Sequence, residues 1–150
     1  MKYSILILIF IISCQKKQKN DKIKNNDTVV TMSQITTNYD SLVKRVRYKG
    51  NIDAYDELFY GFMDSNEAER TDSTMIYSKI MAEKYNYEKA FFDYFKALCE
   101  KYNIDVDFSN FSTINISLMN NSSKLQAEDW LKKMLEKKII TQQQYNSVKK

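Results

Sequence analysis

The chain has few of the side chains from which catalytic and metal sites are usually built. It contains no histidine, and its 150 residues include two cysteines and two glycines. Without histidine it can form no Ser-His-Asp triad, no Cys-His dyad and no imidazole site for zinc or iron. Two glycines, Gly50 and Gly61, are too few for a phosphate-binding or dinucleotide-binding loop. We therefore expect a protein that is not an enzyme and uses neither cofactor nor metal.

Carboxylates are the remaining groups with which a hydrolase could work. Four of them lie near one another in the sequence: Asp53, Asp56, Glu57 and Asp64. A pair of them could act as general acid and base, or the group could bind a cation. Their spacing matches no cation-binding loop, so we interpret them as the solvated face of a helix. A carboxylate-based hydrolase is the least favoured alternative.

Cys14 ends an apolar amino-terminal segment. Lys2 is followed by an unbroken apolar run from Ile5 to Ile12. The run is far shorter than the roughly 20 residues of a spanning helix, and it fits the hydrophobic region of a secretory signal. The sequence Ile11-Ile12-Ser13-Cys14 resembles the lipobox of bacterial lipoproteins. That resemblance implies that residues 1–13 are a signal peptide and that the thiol of Cys14 is acylated, which anchors the protein in a lipid bilayer.

Residues 14–32 are polar and rich in lysine, so we expect a flexible, lipidated tether. Gln15 differs from the aspartate that retains lipoproteins at the inner membrane in enteric bacteria. The resemblance therefore favours a lipid-anchored position in the cell envelope, at the outer rather than the inner membrane. The formal net charge of +4 arises from this tether and from the basic carboxyl terminus, whereas the middle of the chain is acidic. This separation argues against nucleic-acid binding.

Hydrophobic periodicity and the absence of proline predict an all-α fold over residues 33–150. The predicted helices cover 33–48, a segment that Asp53 caps, a segment from Asp72 or Ser73 to Tyr85, 87–102, 124–138 and 141–148. Residues 64–72 are expected to form a polar turn, and 103–108 an extended loop. Residues 111–119 fit a short helix or a strand. We expect Cys99 to be a buried, unreactive thiol.

The helical segments show an approximate repeat. Ala54, Ala90 and Ala127 are separated by 36 and 37 residues, and a large apolar side chain follows each alanine four positions later. Gly50-Asn51-x-x-Ala54-x-x-x-Leu58 resembles the junction of Sel1-like and tetratricopeptide repeats, and so does the segment from Trp130 to Lys133. The resemblance implies antiparallel helix pairs stacked as a short α-solenoid that ends in a capping hairpin.

Exposed aromatic side chains are the expected means of partner recognition in such a fold. We select Tyr85, Tyr87, Phe92 and Tyr94 as a candidate interaction surface, although core packing is the alternative for each. The sequence thus predicts a membrane-anchored, non-catalytic protein-interaction module with a protein partner. The alternative is an immunity-type lipoprotein whose acidic body neutralises a basic toxin. No small-molecule substrate is indicated.

Overall fold

The computed structural model describes residues 37–150, and this part of the chain is all-α, as predicted. Its helices are α1 (Tyr39–Lys49), α2 (Ile52–Met63), α3 (Glu67–Tyr85), α4 (Glu88–Glu100), α5 (Asn121–Glu136) and α6 (Gln142–Ser147). Two single 3-10 turns, Phe111–Thr113 and Ile116–Leu118, lie between α4 and α5. The predicted signal peptide, the tether and Cys14 lie outside the described residues. Within 37–150, no helix is long and apolar enough to span a bilayer.

Asparagine side chains determine where most of the long helices begin. Asn38, Asn51, Asn66 and Asn120 each accept a hydrogen bond from the backbone N–H three residues further along. These bonds satisfy N–H groups that have no partner inside the helix. Thr141 caps α6 as predicted, and Gln144 completes a reciprocal capping box with it.

The start of α3 differs from the prediction. The helix begins at Glu67, so Asp72 and Ser73 lie inside it rather than at its cap, and most of the predicted polar turn 64–72 is helical. Asn66 supplies the cap, and Glu69 adds a negative charge in the first turn, where the helix dipole favours it. Two asparagine caps also move other boundaries: Asn51 rather than Asp53 caps α2, and α5 begins at Asn121, three residues before the predicted start at 124.

Two helix pairs share one kind of turn. Gly50 ends α1 and Asn86 ends α3, and both residues adopt the left-handed conformation, with φ of 59° and 56°. In both turns the following N–H, of Asn51 or Tyr87, reaches the carbonyl six residues back, at 3.3 and 3.0 Å. Each turn therefore leads directly into the next helix, which gives the helical hairpins α1–α2 and α3–α4.

The core is continuous, and α3 and α4 form its centre. α1 and α2 pack on α3, and α5 packs on α4 and then contacts α6. The three alanines of the sequence repeat are fully buried: Ala54, Ala90 and Ala127. Trp130 of α5 lies against α4, with its ring centroid 3.9 Å from that of Tyr94 and its indole N–H donating to the Phe91 carbonyl at 2.9 Å.

The segment between α4 and α5 is a loop that closes one end of the core. Residues 104–107 form no regular structure, which confirms the extended loop predicted there. The loop buries Ile104, Phe111, Ile114, Ile116 and Met119. Its backbone also pairs with the carboxyl terminus, since the Ile116 N–H donates to Lys149 and the Lys149 N–H donates to Ile114. The short helix α6 is thereby held against the loop.

Candidate interaction surface

The four aromatic residues selected from the sequence contact four different parts of the fold. Tyr87 packs edge-on against Tyr55 of α2, and Phe92 packs edge-on against Phe108 of the long loop. Tyr94 lies under α5 and is only 3% exposed. The Tyr85 hydroxyl donates to the carbonyl of Arg47 at the end of α1, at 2.9 Å. The structure therefore does not bring the four side chains together on one surface.

A groove between α3 and α5 combines a concave surface with exposed apolar side chains. A depression of about 370 Å³ lies between Lys79 of α3, Tyr94 of α4 and residues of α5, and a second of about 440 Å³ adjoins it at Lys79 on the exposed face of α3. Ile76 lies on the α3 side and Leu125 on the α5 side, with exposed fractions of 51% and 61%. Tyr94 and Trp130 lie at the base of the groove, where α4 supports it.

Polar contacts hold the base and one end of this groove in place. Gln126 of α5 donates to the Tyr94 hydroxyl, which fixes the aromatic base. Across the groove, the Lys133 ammonium lies 2.5 Å from the Glu83 carboxylate and 5.2 Å from the centre of the Trp130 ring. The pair lies near the carboxyl ends of both helices, so the groove is bridged there. A surface ion pair of this kind contributes little to stability, but it limits where a ligand can enter.

The sequence pattern contained a signal for this groove that the aromatic selection missed. Apolar residues surround α3 nearly completely, more than its neighbours in the fold can cover. Ile76 and Ile80 lie one turn apart on the uncovered side, and Lys79 and Glu83 follow the same face. An apolar face with no intramolecular partner is a common mark of a binding surface.

The four carboxylates considered for catalysis lie apart and have different surroundings. Asp56 pairs with Lys89 of α4 at 3.4 Å, and Glu57 accepts two hydrogen bonds from Thr37. Asp53 and Asp64 are exposed at opposite ends of α2. The four groups thus form no common acid-base arrangement, and residues 37–150 contain no cluster of three or more acidic or thiol groups able to hold a metal.

A polar network joins α2, α3 and α4 inside the core. The buried Tyr55 hydroxyl lies 2.7 Å from the Ser78 hydroxyl and donates to the Asp93 carboxylate at the same distance. Lys89 contacts the same carboxylate at 2.8 Å and lies 4.0 Å from the centre of the Phe59 ring. Burial and the neighbouring Asp93 raise the pKa of Tyr55, so its hydroxyl stays protonated. The network fixes the packing of three helices.

Cys99 is buried in α4, as predicted. Burial raises the pKa of its thiol to about 12, with a smaller contribution from Glu100. A thiol with so high a pKa is neutral at physiological pH and is a poor nucleophile.

No protein-family model, no curated protein and no solved structure matches this chain.

Proposed function

We propose that the chain is a lipid-anchored, non-catalytic protein-interaction module of the bacterial cell envelope. The observation that carries the interaction part is the groove between α3 and α5. It presents Leu125 to solvent beside an aromatic base, and Ile76 is exposed on the adjoining face of α3. The lipobox-like segment that ends at Cys14 supports the anchoring part.

A short solenoid of helix pairs agrees with several features of the fold. The α1–α2 and α3–α4 hairpins turn in the same way, and their turns lie 36 residues apart, the spacing of Ala54 and Ala90. The carboxyl ends of α1, α3 and α5 lie side by side. In a stack of this type, the first helices of successive pairs line a common surface. The groove lies between two such helices.

A helical segment of a partner is the ligand that fits the groove best. Amphipathic helices place apolar residues into grooves of this kind at a spacing of three, four and seven. Lys79 and Asp129 lie on opposite walls and are available to select the orientation of charged residues on the ligand.

Photo-crosslinking in the host tests the groove. A photoreactive residue at Ser122 should capture a specific partner, and Ile76→Glu with Leu125→Glu should abolish capture, because both changes place charge on the apolar walls. Tyr60→Glu with Leu118→Glu is the matched control, since these side chains are 48% and 71% exposed away from the groove. If the control pair reduces capture as much as the groove pair, the groove is not the binding surface.

Anchoring is tested separately by fractionation. Membrane attachment is stable when a protein carries more than one acyl chain, so Cys14→Ser should move protein from the membrane to the soluble fraction. Metabolic labelling with a radioactive fatty acid should mark the parent chain and not this variant. Equal fatty-acid labelling of the parent chain and of Cys14→Ser would refute the lipidation proposal.

The end of the bundle where α3 begins and α4 ends carries several carboxylates. This acidic end favours a second candidate function, neutralisation of a basic toxin. Two adjoining depressions there share Glu67 and Glu100, and Asp72 and Asp105 lie on their rims. Expression of the chain should then rescue cells from a co-encoded basic toxin. Glu67→Gln with Asp105→Asn should weaken rescue, whereas Ile76→Glu with Leu125→Glu should leave it unchanged.

A further inference from the structure

The carboxyl ends of α1, α3 and α5 meet at one end of the bundle. The Lys84 ammonium and the Tyr85 hydroxyl both donate to the backbone carbonyl of Arg47, at 3.0 and 2.9 Å. The Lys137 ammonium donates to the side-chain oxygen of Asn86 at 2.7 Å. These contacts place residues 44–53, 83–89 and 132–138 next to one another, and we refer to these three segments as the basic end.

Charges are distributed unevenly along the bundle. The basic end carries Lys44, Arg45, Arg47, Lys49, Lys84, Lys89, Lys132, Lys133, Lys137 and Lys138, against Asp53, Glu83, Glu88 and Glu136. At the opposite end carboxylates are slightly more numerous: Asp40, Asp64, Glu67, Glu69, Asp72, Glu100, Asp105 and Asp107, against Arg70, Lys96, Lys101, Lys124, Lys149 and Lys150. The protein therefore has a strongly basic end and a weakly acidic end along the helix axes.

The basic end also exposes apolar side chains. Tyr48 is 74% exposed, more than any other large apolar residue described, and Ile52 is 45% exposed across the same turn. Arg47 and Lys49 flank Tyr48 and are exposed. Compensation of helix dipoles explains a basic residue in the last turn of each helix, but it does not explain an exposed tyrosine and isoleucine beside them.

Basic side chains around a tyrosine and an aliphatic residue match the chemistry of an anionic lipid surface. Lysine and arginine attract the headgroups, and each contributes measurably when close to them. Tyrosine rests at the level of the headgroups because its ring is apolar and its hydroxyl is polar. We propose that the basic end docks on an anionic phospholipid bilayer, with Tyr48 and Ile52 in the headgroup layer.

This inference rests on the proposed location of the chain at a membrane, and it concerns the folded domain rather than the lipid anchor. α1 runs from the acidic end to the basic end, so the tether joins the domain at the end away from the membrane. The segment between Cys14 and Thr37 is long enough to connect that end of the domain with a lipid anchor in the same bilayer, since a chain of roughly 20 residues can extend over ~65 Å.

Fluorescent labels on residues 14–150, the chain without the proposed signal peptide, can report which end contacts the bilayer. A polarity-sensitive fluorophore is attached to Asp53→Cys at the basic end, or to Asp105→Cys at the acidic end, in a Cys14→Ser background. Cys99 is buried and will not react in the folded protein. With vesicles that contain phosphatidylglycerol, the label at position 53 should shift to the blue and the label at 105 should not. Vesicles of phosphatidylcholine alone should produce no shift at either position.

Charge variants test whether the basic end, rather than the lysines of the tether, is responsible. Each lysine close to an anionic surface strengthens binding about fivefold, so Lys49→Gln with Lys138→Asn should lower the vesicle partition coefficient about 25-fold. Lys96→Gln with Lys124→Gln removes the same charge at the opposite end and should change this coefficient little.

Equal responses of the two labels, equal losses in the two double variants, or binding that is independent of phosphatidylglycerol would each overturn the proposal. The outcome differs from a failure of lipidation, because every protein in this assay lacks Cys14. Absence of fatty-acid label from the parent chain bears on the anchor and leaves the assignment of the basic end to these vesicle measurements.

Discussion

Gly50 lies in a position that no other residue should occupy without cost. Its φ of 59° lies in the left-handed region, and a Cβ atom there would lie 2.3 to 2.7 Å from three ring carbons of Tyr85. The Tyr85 ring is held in place because its hydroxyl donates to the Arg47 carbonyl. Gly50→Ala should therefore displace the ring and break this hydrogen bond between α3 and α1.

The expected loss of stability is about 2–3 kcal/mol. Alanine in the left-handed conformation costs roughly 1–2 kcal/mol, and loss of the Tyr85 hydrogen bond adds about 1 kcal/mol. For a domain of this size each kcal/mol lowers Tm by roughly 5 °C, so the midpoint should fall by about 10–15 °C. Asn86→Ala in a Lys137→Gln background is the matched control, because Asn86 has nearly the same φ but already carries a Cβ atom, and the second change removes the Lys137 hydrogen bond to its side chain. It should cost only about 1 kcal/mol.

Urea denaturation followed by the fluorescence of Trp130, the single tryptophan, measures these differences. A double-mutant cycle separates the contributions: in a Tyr85→Ala background, Gly50→Ala should cost only the backbone component of about 1–2 kcal/mol. If Gly50→Ala costs the same in both backgrounds, the contact with the ring is not the cause. If it costs no more than Asn86→Ala, the argument from the close approach is refuted.

Three further predictions concern the core. Trp130→Phe should cost about 1 kcal/mol in urea denaturation followed by circular dichroism, because it removes the indole hydrogen bond that the Phe91 carbonyl accepts in addition to its bond within α4. Tyr55→Phe should cost a similar amount, and Ser78→Ala in that background should cost less than it does in the parent chain. Cys99 should not react with a thiol reagent at pH 8 until the protein unfolds. Folding raises the pKa of Cys99 from 9.0 to about 12. The contribution of Cys99 to the free energy of unfolding should therefore decline as pH rises from about 9 to 12, and Cys99→Ala should reduce the decline of this free energy with pH.

The helices that carry a clear apolar stripe were predictable from the sequence. Phe91, Phe95 and Leu98 of α4 follow the helical period, and all three are buried. The start of α3 was not predictable from the same pattern. Its first two turns are mostly polar because they extend beyond the core, and only the cap at Asn66 marks where the helix begins. A polar segment can thus be a loop or the exposed end of a helix, and capping residues distinguish the two better than hydrophobicity does.

The candidate interaction surface was harder to predict than the fold. Tyr85, Tyr87 and Tyr94 are close in the sequence, but the left-handed turn at Asn86 sends the chain from α3 into α4, so they point to different neighbours. Periodicity within one helix predicts which residues share a face, but it cannot predict which neighbour covers that face. The groove beside Ile76 could be recognised only from the positions of α4 and α5.

The groove and the basic end are geometrically compatible with one another. The groove runs between α3 and α5, and the basic end is formed by the carboxyl ends of the same helices. A domain that rests on the bilayer by this end would hold the groove along its side, open to a partner. The Lys133–Glu83 pair bridges the groove near the basic end, so a helical ligand would enter from the acidic end. Basic residues on the leading part of such a ligand would favour that direction of entry.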